Sequence, residues 1–82
     1  MSAVDWDALE ALLLEAHARD DRLSLIGHYD RASRVAATEG DLDRAAFFAT
    51  YAWIYALELG DGRAADLRAR LRGWGKIDLE DT

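Results

Sequence analysis

The sequence predicts an all-α fold, a small four-helix stack or bundle with short loops. Three observations predict it. Proline is absent from all 82 residues, so nothing breaks a helix from within. Alanine and leucine recur at three- and four-residue spacing, the period of a helix with one buried face. Five of the six glycines fall where that pattern lapses, and at Gly40 and Gly60 an aspartate follows, which is the stop-then-cap signature of consecutive helices. A chain of this length makes one domain, expected over 1–75, with 76–82 left as a flexible acidic tail.

The first helix is expected at about 4–19, opened by the S-x-x-D pattern of Ser2 and Asp5. Its stripe holds Trp6, Leu9, Leu12, Leu13 and Ala16, and Leu14 falls off it. The second, at about 22–39, starts on Asp20 or Asp21 and ends at Gly40. Leu25, Ile26, Tyr29, Ala32, Ser33 and Ala36 share one side of it, opposite Asp30, Arg31, Arg34 and Thr38. Asp41 caps the third, at about 42–59, and Asp61 the fourth, at about 62–72, which Gly73 and Gly75 terminate. That last helix carries a narrow stripe of Ala64, Leu67 and Leu71, continued by Trp74, and a separate basic edge of Arg68 and Arg72.

The third helix departs from this pattern. Leu42, Ala45, Ala46, Ala49, Ala52, Trp53 and Ala56 fall on one side, a surface of mostly small residues that admits a neighbouring backbone closely. Phe47, Phe48, Tyr51, Ile54 and Tyr55 fall on the other. A helix apolar all round must be covered all round. Either the first helix folds over the rings or another molecule does, and large aromatics with a wet edge suit an interface. The ring-bearing side is therefore the first candidate partner-binding surface.

Charge and composition exclude several functions. A net charge of −6 opposes phosphate binding, so nucleic acid is not the expected partner. The cations gather late, at Arg63, Arg68, Arg70, Arg72 and Lys76, and a weaker reading has Arg68 and Arg72 hold an acidic protein or nucleic acid. The apolar run of the third helix is bounded by charges and too short for a membrane. The opening MSAVDWDALE lacks the positive and apolar regions of a secretion signal, and with no cysteine present the expected location is cytoplasmic. No enzyme is expected. His17 and His28 lack a metal-ligating companion at helical spacing, no serine or threonine has a recognisable base, and GDG at Gly60–Gly62 is too short for a phosphate loop. Catalytic, cofactor and metal sites are accordingly none.

The segment ASRVAATEGDLDRAAFFATYAWIYALELGD resembles the tetratricopeptide repeat, a helical hairpin that binds peptides or partner proteins. Gly40 and Asp41 match its turn, Leu42 the large residue after it, and Ala45 and Ala52 the small positions of its second helix, while Ser33 stands where the repeat prefers glycine. Ala36 and Ala49 replace bulkier residues of the pattern, and no proline follows. The resemblance implies a degenerate single repeat with flanking helices, whose ligand-facing positions would be Gly27, Asp30, Arg34 and Thr38. Taken alone, Asp30 and Arg34 are an i,i+4 surface pair contributing about 0.2–0.5 kcal/mol. The expected function is a non-catalytic protein–protein interaction module, an adaptor or regulator. The alternative is a self-associating homodimer or a subunit of an obligate complex.

Overall fold

A computed structural model describes residues 5–76, and it is all-α. The helices are α1 (Trp6–Ala18), α2 (Arg22–Thr38), α3 (Leu42–Leu59) and α4 (Arg63–Gly73). No strand occurs among the described residues. The expected bounds hold to within two residues, because each end is written locally. Asp5 rather than Ser2 caps α1, its carboxylate accepting from the N–H groups of Asp7 and Ala8 at 3.0 and 3.2 Å. Ser2 and the tail from 77 onward lie outside the described residues.

One corner recurs along the chain. Asp20, Gly40, Gly60 and Gly75 take left-handed φ values of 55°, 84°, 65° and 71°. The residue after each sends its N–H back five positions. Asp21, Asp41, Asp61 and Lys76 donate to the carbonyls of Ala16, Ala36, Ala56 and Leu71 at 2.8, 3.0, 2.8 and 2.9 Å. This is the Schellman closure, which satisfies carbonyls a helix end would otherwise leave bare. The first three corners then hand over to an aspartate at 21, 41 and 61. Asp21 and Asp41 cap the next helix, accepting from Ser24 N–H and Arg44 N–H at 3.1 Å each. Asp61 does not occupy the cap position expected of it. Gly62 stands there without a side-chain bond, and Asp61 instead accepts Arg63 N–H at 2.9 Å and both arms of the Arg63 guanidinium at 3.0 Å. A charged partner two residues on draws the carboxylate away from the third amide.

The interior is built from methyl groups. Ala32 and Ala36 of α2 and Ala45, Ala49, Ala52 and Ala56 of α3 are all 0% exposed. Small residues on both helices let the two backbones close together. Ser33 is buried in the same seam, and its hydroxyl donates to the Ala45 carbonyl at 2.8 Å, so the polar atom is satisfied across the interface. Bulk comes from the edges: Leu25 and Ile26 of α2, and Leu67 and Leu71 of α4, are enclosed. Trp53, expected on the buried side, is half-buried, packed with Trp74 at the margin of the cluster that holds Leu67 and Leu71. Leu42 and Leu12 also leave their expected stripes, at 45% and 41% exposed. Leu42 opens α3 before α2 can cover it, and α1 buries only Leu9 and Ala16.

Side-chain contacts define two layers. Rings join α1 to α3 on one side, and Asp30 with Arg70 joins α2 to α4 on the other. The outline is a slab of 38 × 31 × 15 Å. Every helix of so thin a body has a surface near solvent, which leaves α3 with a side that its neighbours do not reach.

Candidate functional site

The ring-bearing side of α3 is divided lengthwise. Phe48 and Tyr55, on the edge nearest α1, are half-buried. Trp6 of α1 stacks on Phe48 with centroids 5.8 Å apart, and His17 meets Tyr55 edge-on at 6.2 Å. Tyr29 of α2 lies beneath, stacked on Tyr51 and Tyr55 at 5.3 and 6.1 Å. Phe47, Tyr51 and Ile54, on the edge away from α1, are 55%, 39% and 42% exposed. Thus α1 shoulders the rings without roofing them. Thr50, the polar interruption of this stretch, turns its hydroxyl back to the Ala46 carbonyl at 2.8 Å and adds little polarity to the open strip.

Between α1 and α3 runs a groove of about 410 Å³, walled by Trp6, Leu13 and His17 on one side and by Phe47 and Phe48 on the other, with Tyr29 as its floor. Its electrostatics are set by a few fixed groups. The Arg44 guanidinium lies 4.1 Å from the Trp6 ring centroid, a cation on an aromatic face. The Trp6 indole N–H points to Glu39, 3.2 Å away, which anchors the ring at the groove mouth. His17 Nε2 and the Tyr29 hydroxyl are 2.9 Å apart. Burial, with Tyr55 and Tyr51 close by, pushes the Tyr29 phenol above its ordinary value, so it stays a neutral hydrogen-bonding group at physiological pH.

The polar positions on α2 are engaged internally. Asp30 is four-fifths buried and lies 3.3 Å from Arg34 and 2.6 Å from Arg70 Nη1. The Arg70 contact is ionic but off the N–H axis, for that nitrogen is buried and makes no directed hydrogen bond. Gly27 lies under the Arg63 guanidinium, where an added Cβ would stand 3.8 Å from Nη1. The Thr38 hydroxyl donates to the Arg34 carbonyl at 2.9 Å, leaving the Arg34 head as the most open group of the four. Arg68 and Arg72 are exposed on α4.

Two participants were not legible as site residues in the sequence. Trp6 read as core of the first helix and Arg44 as a flanking charge, yet together they frame one end of the groove. Only the three- and four-residue steps from Arg44 through Phe47, Tyr51 and Ile54 to Glu58 hinted that Arg44 shares the rings' side. Among the described residues no group of three or more His, Cys, Asp or Glu is placed to hold a metal, and no helix is long and apolar enough to cross a membrane. No protein-family model matches the chain, and neither a similar curated protein nor a similar solved structure was found.

Proposed function

We propose that this chain is a non-catalytic protein–protein interaction module and that the open strip of α3 is its contact surface. The observation that carries the reading is the exposure of Phe47, Tyr51 and Ile54 in one line beside the groove. Contiguous apolar surface rimmed by charge costs solubility, and in proteins it marks contact sites. The tetratricopeptide-like hairpin belongs to the same proposal. Left-handed Gly40, the Asp41 cap and the complete burial of Ala45 and Ala52 support it. Within that hairpin the ring side is favoured over the Gly27, Asp30, Arg34 and Thr38 side, because Asp30 is already neutralised by two arginines and a ligand would have to displace them. A chain without cysteine suits a reducing compartment, and we assign the module to the cytoplasm.

The test is the double variant Phe47→Ser/Ile54→Ser. At high dilution its unfolding free energy should fall by about 1.5–3 kcal/mol, the cost of the covered half of each side chain. Its set of captured partners, its own tagged copy included, should shrink. A stability loss above about 5 kcal/mol, the sum expected of two enclosed side chains, would make them core and overturn the proposal. So would an unchanged set of captured partners.

A further inference from the structure

Arg44, Phe47, Tyr51, Ile54 and Glu58 form a line of alternating three- and four-residue steps on the solvent side of α3. Arg44 and Glu58 each stand seven residues from Tyr51, and residues seven apart on a helix return to nearly the same angle. The seam is therefore a short two-heptad strip with aromatic and aliphatic residues inside, a cation at one end and an anion at the other.

We infer that the occupant of this strip is a second copy of the chain, its α3 lying antiparallel to the first with Tyr51 on the two-fold axis. This rests on the interaction-surface reading above and adds the partner and its register. Charge decides the direction. In the antiparallel arrangement Arg44 of each copy meets Glu58 of the other, whereas a parallel one sets Arg44 against Arg44 and Glu58 against Glu58. The same operation brings Phe47 of one copy against Ile54 of the other, so every apolar group on the seam finds an apolar neighbour. Both charges lie on exposed residues. The Arg44 guanidinium carbon lies 4.1 Å from the Trp6 ring centroid, and Glu58 has one ion partner, Arg22, at 3.5 Å, a solvent-exposed pair that costs little to exchange.

Area sets the strength. Phe47, Tyr51 and Ile54 are 55%, 39% and 42% exposed, which leaves roughly 250 Å² of apolar side chain to cover. A standard stable interface covers about 800 Å² on each partner. The pair is accordingly a weak, reversible dimer of already folded subunits rather than an obligate one.

Sedimentation equilibrium on the full chain tests this. Arg44→Glu and Glu58→Arg should each weaken dimerisation about tenfold, since either change turns two symmetric attractions into repulsions. The double variant should return to within about threefold of the parent. The parent has no cysteine, so Tyr51→Cys should oxidise to a covalent dimer while Asp66→Cys on α4 should not. Circular dichroism confirms that each variant is folded. A dimer indifferent to the charge reversals, with no cross-link at 51, overturns the seam while leaving the ring surface as a contact site. A parent that stays monomeric up to millimolar concentration overturns the second copy as occupant. The interaction-surface reading itself fails only on the stability or capture results of the Phe47→Ser/Ile54→Ser variant.

Discussion

Replacing Ala52 by leucine should damage the molecule more than removing the ring next to it. Ala52 is 0% exposed and sits in the core cluster with Ile26 of α2 and Leu67 and Leu71 of α4. Leucine adds three carbons to a cluster that Ile26 of α2 and Leu67 and Leu71 of α4 already fill. Overpacking a closed site costs about 1–3 kcal/mol, and the upper part of that range applies because Ile26, Leu67 and Leu71 are themselves fully enclosed and have no free space to move into. A chain of 82 residues has a total stability of about 4–12 kcal/mol. A loss of about 3 kcal/mol lowers the melting temperature by about 12–24 °C in a domain of this size. Thermal unfolding followed by helical circular dichroism measures it. The paired control is Tyr51→Ser, one residue away, whose ring is 39% exposed and stacked on Tyr29, and which should shift the midpoint by about 4–10 °C at high dilution. If Ala52→Leu melts within about 3 °C of the parent, the core cluster around Ala52 is loose and the close-packing account is refuted.

Three further outcomes follow from the same geometry. Asp30→Ala leaves the four-fifths-buried Arg70 without its counter-ion and should cost about 1–3 kcal/mol, much of it recovered when Arg70→Met is added, as urea denaturation of the single and double variants would show. The hydrogen bonds from Arg63 hold the Asp61 carboxyl at about 2, below its ordinary 3.8. A carboxyl lowered in the folded state contributes stability that is complete above its unfolded value and lost as pH falls through the folded one. Asp61→Asn should therefore flatten part of the acid limb between about pH 4 and 2, and a carboxyl titration by NMR should place the Asp61 midpoint near the lower figure. Trp53→Ala should cost about 2–3 kcal/mol, less than a fully enclosed tryptophan, because one side of the ring is open to solvent; chemical denaturation gives the value.

Local chemistry made the helices readable. Asp21 and Asp41 cap through their own side chains, and Gly40 and Gly60 supply the left-handed backbone, so these limits depend on residues within a few positions of each other. The alanine side of α3 was readable for a similar reason, since a run of small residues at helical spacing has few uses besides close packing. What could not be read was how far α1 leans across α3. That angle is set by Trp6 on Phe48 and by Arg44 on Trp6, contacts spanning about 40 residues whose geometry no local pattern encodes. The pairing of Asp30 with Arg70 is equally remote in the chain, and it turned a surface pair of α2 into a link between helices. Asp61 shows the limit in miniature: the residue was right, but competition from Arg63 decided which amides it serves.

The recurring corner bears on how quickly the chain finds this shape. Each reversal at Asp20, Gly40 and Gly60 is held by bonds spanning five residues or fewer, and each helix meets chiefly the one before and the one after it. The entropy lost in closing such small loops is slight, and chains dominated by near neighbours refold in microseconds to milliseconds. Any of the three reversals can be the nucleus, with the remaining helices docking outward from it. A glycine at position 20, relieving the one left-handed aspartate, should raise the refolding rate only to the extent that the first reversal is formed at the barrier, which makes that position a probe of where the reaction begins.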